Sequence, residues 1–218
     1  ITLAMLPGRR YRHAFEPGCS IGTLTELLAR RCNRVAAVDV ADAALRGADR
    51  RLRAAGCRER VDLARASLDE AWPRGPFDLV VLSEALYLQA DALDAVLDRE
   101  CARLRPGTTV VAAHWRHAVA DYPLGGDAAH RVVARTPGLA SLGCYRDRDV
   151  VVEVFGLGDG RSVAARERVP VLARDVRGFP GPRLLIGISI YPGGGAAQVG
   201  MRPLAVAGDV GLIASAVL

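Results

Sequence analysis

The chain's clearest chemistry lies in a loop, Glu16-Pro17-Gly18-Cys19-Ser20-Ile21-Gly22, and in one acidic residue beyond it. A short run, residues 11–15, that can end as a buried strand precedes the loop, and Leu24, Leu27 and Leu28 follow it at helical spacing. The pattern predicts a strand, a glycine loop and a helix. Gly18 can take backbone angles closed to other residues, so a ligand can approach the main chain there. Gly22 is expected to let the helix start pack closely on the strand. Thr23 and Glu26 stand at capping-box spacing, which predicts that the helix begins here. The free N–H groups and positive dipole end of such a helix favour an anionic ligand group. Asp39 interrupts the apolar run 35–40, about 20 residues past Gly18, where Rossmann-type sites hold a ribose diol. Together these features imply an adenosine-bearing ligand.

The loop's chemistry narrows the choice. A dinucleotide fingerprint is G-x-G-x-x-G, whose middle glycine lets a pyrophosphate come close. Here Ser20 holds the middle place and the last glycine comes one position early. Glu16 would repel a phosphate and attract an ammonium or a ribose hydroxyl. That combination suits S-adenosylmethionine, which carries an ammonium, a carboxylate and a sulfonium but no phosphate. Two other readings share the fold: an NAD-dependent oxidoreductase, which Ser20 disfavours, and an adenosine-binding scaffold without activity.

The elements that must position these residues follow in order. Residues 42–55 read as a helix with Ala44, Leu45, Ala48 and Leu52 on one face, stopped by Gly56. Residues 61–66 read as a third strand. Residues 77–83 form the clearest strand, nearly all apolar, as expected of a central parallel strand covered on both faces. Residues 91–104 read as a helix with Leu93, Val96, Leu97 and Leu104 inward, ended by Pro106-Gly107, and residues 108–115 as a fifth strand. Residues 127–134 are expected to be helical. Residues 149–155, the glycine-rich turn 156–160 and residues 162–165 read as an antiparallel hairpin. The expected fold is α/β: a doubly wound parallel sheet with a terminal antiparallel hairpin, the plan of class I methyltransferases.

Composition sets the bounds. The 218 residues, half of them apolar, suffice for one α/β domain with a sizeable core and an appendage. The net charge of +5 is mild, every basic residue is Arg, and Arg and acids are interspersed, which disfavours a nucleic-acid partner. Cys19, Cys32, Cys57, Cys101 and Cys144 have wide, irregular spacing with no C-x-x-C pair. That argues against a disulfide framework or a zinc site and for a reducing, cytoplasmic setting. No apolar run is long enough to span a bilayer. Leu3, Leu6 and Pro7-Gly8 look like the end of a helix, so the chain reads as a piece of a longer protein, truncated at its N-terminus. The expected domain is residues 1–169. From 170 to 218 Pro and Gly become frequent and periodicity is lost, so this tail is assigned no structure.

Several blocks resemble a known group. Glu16-Pro17-Gly18-Cys19-Ser20-Ile21-Gly22, Gly75-Pro76-Phe77-Asp78-Leu79-Val80-Val81-Leu82-Ser83-Glu84-Ala85-Leu86-Tyr87 and His114-Trp115-Arg116-His117 look like the nodulation protein S-like methyltransferases. Asp121-Tyr122-Pro123-Leu124 and Gly126-Asp127-x-x-His130 do so as well. The resemblance spans about residues 3–168. It implies a Rossmann-like fold that binds S-adenosylmethionine and N-methylates the free amine at the non-reducing end of a chitooligosaccharide, or methylates another small molecule. Two departures stand out. The family's N-terminal segment, which helps close the site, is absent, and Ala66-Ser67 replaces a plain acid at the adenine position.

Methyl transfer to an amine needs alignment and a neutral nucleophile. Glu84 follows the fourth strand at the edge where open α/β sheets bind ligands, and it can bind an ammonium, accept a proton, or serve only as a helix N-terminal carboxylate. His114 closes the fifth strand at the same edge, either facing substrate or satisfied structurally. The His114–His117 spacing on a strand end does not put both imidazoles on one face, so no metal site is expected. Tyr87 and Trp115 can stack on a sugar or pack in the core. Asp121, Asp127 and His130 complete the candidate acceptor pocket, with Asp127 alternatively a helix cap. The candidate cofactor set is Glu16, Gly18, Cys19, Ser20, Gly22, Asp39, Ser67 and Ser83. The expected partner is a small molecule with a free amine.

Overall fold

The computed structural model describes residues 1–86, 88–158, 161 and 165. Tyr87, most of the expected strand 162–165 and the tail 170–218 lie outside the described residues.

Seven strands form one sheet in the order β3-β2-β1-β4-β5-β7-β6. They are β1 (Tyr11–Pro17), β2 (Cys32–Asp39), β3 (Val61–Arg65), β4 (Leu79–Ser83), β5 (Thr109–Trp115), β6 (Leu139–Arg146) and β7 (Val150–Leu157). The first five run parallel, and β7 runs antiparallel to both β5 and β6. The strand order reverses between β1 and β4, the switch point at which open α/β sheets form a ligand crevice. Helices α1 (Thr23–Arg31) and α2 (Asp42–Ala54) cover one face with Leu28, Ala29 and Leu52. Helices α3 (Ala90–Cys101) and α4 (Gly126–Arg135) cover the other with Leu93, Val96, Leu97, Val132 and Val133. The central strands are buried on both sides, which is why Leu79, Val80, Val81 and Leu82 read as one apolar run.

Three local expectations are corrected. The helix after the glycine loop is not closed by a capping box: Gly22 is the N-cap, in the left-handed region at φ 76°, and Glu26 pairs with Arg30 and Arg51 instead. Nor does Gly22 serve a helix–strand contact. A Cβ there would lie 2.9 Å from Ala48 Cβ, so its smallness lets α1 approach α2. The terminal hairpin is present, but β7 pairs with the strand before it, β6. Asp147 closes that turn, its carboxylate accepting the N–H groups of Asp149 at 2.8 Å and Val150 at 2.7 Å.

One glycine, quoted above only within the block 126–130, fixes a layer. A Cβ on Gly126 would collide with the Trp115 carbonyl oxygen and lie 3.0 Å from His114 Cβ. The first turn of α4 therefore rests directly on the end of β5. We expect Gly126→Ala to cost about 1–3 kcal/mol by overpacking and to separate His130 from His114. Urea denaturation checks the first, and an unchanged midpoint would show that the turn has slack.

Candidate active site

The glycine loop and the end of β2 are joined by one carboxylate. Asp39 Oδ2 accepts the Ser20 N–H at 2.8 Å, and Oδ1 accepts the Ala41 N–H at 2.9 Å. Cys19 N–H donates to Val38 O at 3.0 Å, which holds the loop across the two strands. Ser20 sits at φ 49°, an uncommon conformation for a residue with a side chain. Gly18 takes φ 70°, and a Cβ there would stand 3.2 Å from Ala85 Cβ. The β1 and β4 loops thus come together at the switch point. Cys19 is buried, and burial pushes its thiol up to about 12, so it is a packing group and not a nucleophile.

Glu16 lies inside β1 and is 3 % exposed. Its Oε2 has no hydrogen-bond partner among the described residues. Burial pushes its carboxyl up to about 7. A buried carboxylate left without a cationic partner is costly, and among the described residues no donor reaches this oxygen. Two further cofactor candidates are less committed. Ser83 is half-buried at the end of β4, and Ser67, also half-buried, donates its N–H to Glu70 at 3.4 Å.

The β4 and β5 ends carry the second group. Glu84 is not a helix residue, because α3 begins at Ala90. It takes φ 49°, its N–H donates to Ala113 O at 2.9 Å, and its Oε1 accepts the Trp115 N–H at 2.5 Å. Backbone thus holds the carboxylate at the carboxyl edge of the sheet. Ser20 and Glu84 both hold the left-handed conformation without being glycine, and such strain concentrates at binding and catalytic sites.

His114 and His117 have different surroundings. His117 is exposed and 2.6 Å from Asp149, whereas His114 is buried, with Nδ1 3.1 Å from His130 Nε2. His130 Nδ1 is in turn 2.7 Å from Glu153 Oε2. Trp115 is 44 % exposed with its ring 4.8 Å from that of His117, so it belongs to the surface and not the core. Asp121 is exposed. Asp127 neither caps α4 nor stands ready for an ammonium: Gly125 is the N-cap, and Asp127 is held by Arg116 at 3.0 Å and Arg146 at 3.4 Å. The Arg116 hydrogen bond, foremost, holds its carboxyl below the usual range. Sequence reasoning does not find Glu153 or Arg146, and it names Arg116 only within the block 114–117 and gives it no role. Glu153 had a signal, since it is a lone carboxylate in a valine run, as Asp39 is.

Replacing Asp39 by Ala removes the acceptor of two loop N–H groups and any ribose contact. We expect it to weaken S-adenosylhomocysteine binding by about 1–3 kcal/mol, or roughly 5- to 150-fold. Calorimetric titration measures this, and equal affinity would remove Asp39 from the site.

This arrangement of sheet, switch point and loop defines a methyltransferase. A family model described as a methyltransferase domain matches residues 14–107. A candidate methyltransferase from Pseudomonas syringae is 35% identical, with a TM-score of 0.62 over 71% of this chain and 93% of that one. The chain belongs to the class I S-adenosylmethionine-dependent methyltransferases, and S-adenosylmethionine is its cofactor. The N-methyltransferase NodS from Bradyrhizobium japonicum, solved with S-adenosyl-L-homocysteine, is 22% identical, with a TM-score of 0.61 over 69% of this chain and 80% of that one. An O-methyltransferase family protein from Burkholderia thailandensis is 19% identical, with a TM-score of 0.57 over 70% and 52%. At these identities the last two show the fold alone. No curated protein matches the chain. The described residues are compatible with the cofactor: the buried Glu16 carboxylate has an oxygen without a partner among them, which suits a cation, and Gly18 is exposed in the left-handed region. Among the described residues, no helix is long and apolar enough to cross a membrane.

Proposed function

We propose that the enzyme N-methylates an amine on an amino sugar, an oligosaccharide or another polar small molecule. The observation that carries this reading is the backbone-held Glu84 carboxylate, adjacent through Ala113 and Trp115 to the buried His114. A carboxylate fixed at that edge can hold an ammonium, and an imidazole can accept an N–H. In this reading Glu16 binds the cofactor's ammonium. Asp39 takes the ribose hydroxyls on the lone pairs that Ser20 and Ala41 leave open. Gly18, Cys19, Ser20 and Gly22 offer main chain, and Ser67 and Ser83 flank the adenine and the reacting end. When bound, S-adenosylmethionine supplies an electrophilic methyl group to the acceptor's lone pair. Trp115 and Tyr87 provide stacking surface for the acceptor. Asp121 and His130 remain with the acceptor side, and Asp127 acts there through Arg116 and Arg146.

The test is an acceptor panel read by S-adenosylhomocysteine release. Free glucosamine and short chitosan oligomers are expected to be methylated, with the rate rising as pH approaches the amine's pKa, and their N-acetylated forms are not. Equal rates for both would replace N-methylation by O-methylation and leave the methyltransferase assignment intact.

A further inference from the structure

Three residues from three elements form a hydrogen-bonded line that ends in a buried lone pair without a partner among the described residues. Glu153 on β7 is 2.7 Å from His130 Nδ1 on α4, and His130 Nε2 is 3.1 Å from His114 Nδ1 on β5. Both imidazoles are buried, at 1 % and 3 % exposure, while the Glu153 side chain is 17 % exposed. An ionised carboxylate only accepts hydrogen bonds, so the His130 proton sits on Nδ1. A neutral His130 then accepts at Nε2, which places the His114 proton on Nδ1. His114 Nε2 is left as a bare lone pair, and it is buried without a partner among the described residues. The line fixes the direction of every bond in it. Other charges facing it are paired with one another: Arg146 and Arg116 both hold Asp127.

Given methyl transfer to an N–H or O–H acceptor, we propose that these residues form a proton relay. In it, His114 Nε2 takes the acceptor's proton and Glu153 holds it at the far end. As the proton reaches His114 Nε2, the Nδ1 proton of His114 passes to His130 Nε2. The Nδ1 proton of His130 passes to the Glu153 carboxylate in turn. One proton enters, one is stored, and both rings end neutral in the opposite tautomer. When product leaves, the sequence runs backward and His114 Nε2 yields the proton to water. A single histidine base would have to hold a charge in the core. Burial opposes this, pushing His114 down to about 3 and His130 below its ordinary value. The relay avoids that cost by moving the change of charge to the part-exposed Glu153. Its carboxylate also explains why two buried imidazoles stand in contact in an otherwise apolar layer.

The tautomers can be read without knowing the acceptor. Two-bond 1H–15N spectra of the labelled protein with S-adenosylhomocysteine are expected to show neutral His114 and His130, both protonated on Nδ1, at pH 7.5. A proton on His114 Nε2, or an imidazolium at pH 7, would overturn the relay whatever the acceptor proves to be. The isosteric Glu153→Gln keeps an oxygen for His130 but cannot take up the proton. With an acceptor from the panel, it is expected to lower kcat by about 10²-fold with KM within threefold. Unchanged kcat with native tautomers would show that Glu153 only positions the rings and would also overturn the relay. Failure of the acceptor panel leaves the spectroscopic result standing, so the two claims fail separately.

Discussion

With Glu16 holding the cofactor's ammonium as proposed, affinity for S-adenosylhomocysteine is expected to rise about tenfold per pH unit between pH 5 and pH 7 and to level off above, and Glu16→Gln is expected to flatten the profile. The cause is the burial of Glu16, which pushes its carboxyl up from an ordinary 4.5 to about 7. Below pH 7 the ligand-free protein carries a proton on Glu16, and that proton must leave before the carboxylate can pair with the ligand's ammonium. The same shift governs stability in the absence of ligand. The folded state keeps a proton that the unfolded chain releases, so this contribution is full below about pH 4.5. It is lost as pH rises to about 7, a change on the order of 3 kcal/mol. Ligand reverses the sign by supplying the cation that the buried oxygen lacks. Calorimetry in buffers of different ionisation enthalpy would show proton release on binding at pH 6 that Glu16→Gln abolishes. The ligand-free Gln variant would also keep its Tm between pH 5 and pH 7.5 where the native protein loses some. A Gln variant with the native pH dependence would place the titration on another group.

The parts of the fold legible in sequence were those whose signal is local. The loop from Glu16 to Gly22, the run 77–83 and the spacing of Leu93, Val96 and Leu97 each report on a single element, and each lies where expected. β6 escaped notice because Leu139-Ala140-Ser141-Leu142-Gly143-Cys144-Tyr145-Arg146 is a half-exposed edge strand with a register shift between Ser141 and Gly143. An edge strand needs no apolar alternation on its outer side. The capping box failed for a related reason. Thr23 and Glu26 have the right spacing, but Gly22 takes φ 76° and puts the helix start one residue earlier than a threonine cap would. The candidate site shows the same limit. Asp39, Glu84 and His114 could be placed at strand ends from the pattern alone. That Asp127 is spent on two arginines, and that His130 connects His114 to Glu153, depends on side chains 11 to 23 positions apart meeting across helix and sheet. Such meetings leave no trace in local spacing.

Glu84→Gln is expected to raise KM for an amine acceptor about 10- to 100-fold while kcat stays within about tenfold. Glu84 is fixed by its own N–H on Ala113 O, by the Trp115 N–H on its Oε1, and by a backbone at φ 49°. Gln fits the same backbone and keeps an oxygen for Trp115, so the substitution removes the charge and preserves that contact. What is lost is one charge-assisted hydrogen bond to the ammonium form of the acceptor, about 1.5–3 kcal/mol. Because that contact weakens once the amine is neutral and reacting, the loss falls on binding and not on the chemical step. Glu84→Ala is the harsher comparison, since it also leaves the Trp115 N–H without its carboxylate at the end of β5. It should therefore lower stability where Gln does not. The opposite split, kcat down 10²–10⁴-fold with KM unchanged, would make Glu84 the proton acceptor and leave His114 with a binding role. Steady-state kinetics on the Gln variant at two pH values, one below and one near the amine's pKa, separates the two: a charge partner matters most at the lower pH, whereas a lost base slows turnover at both.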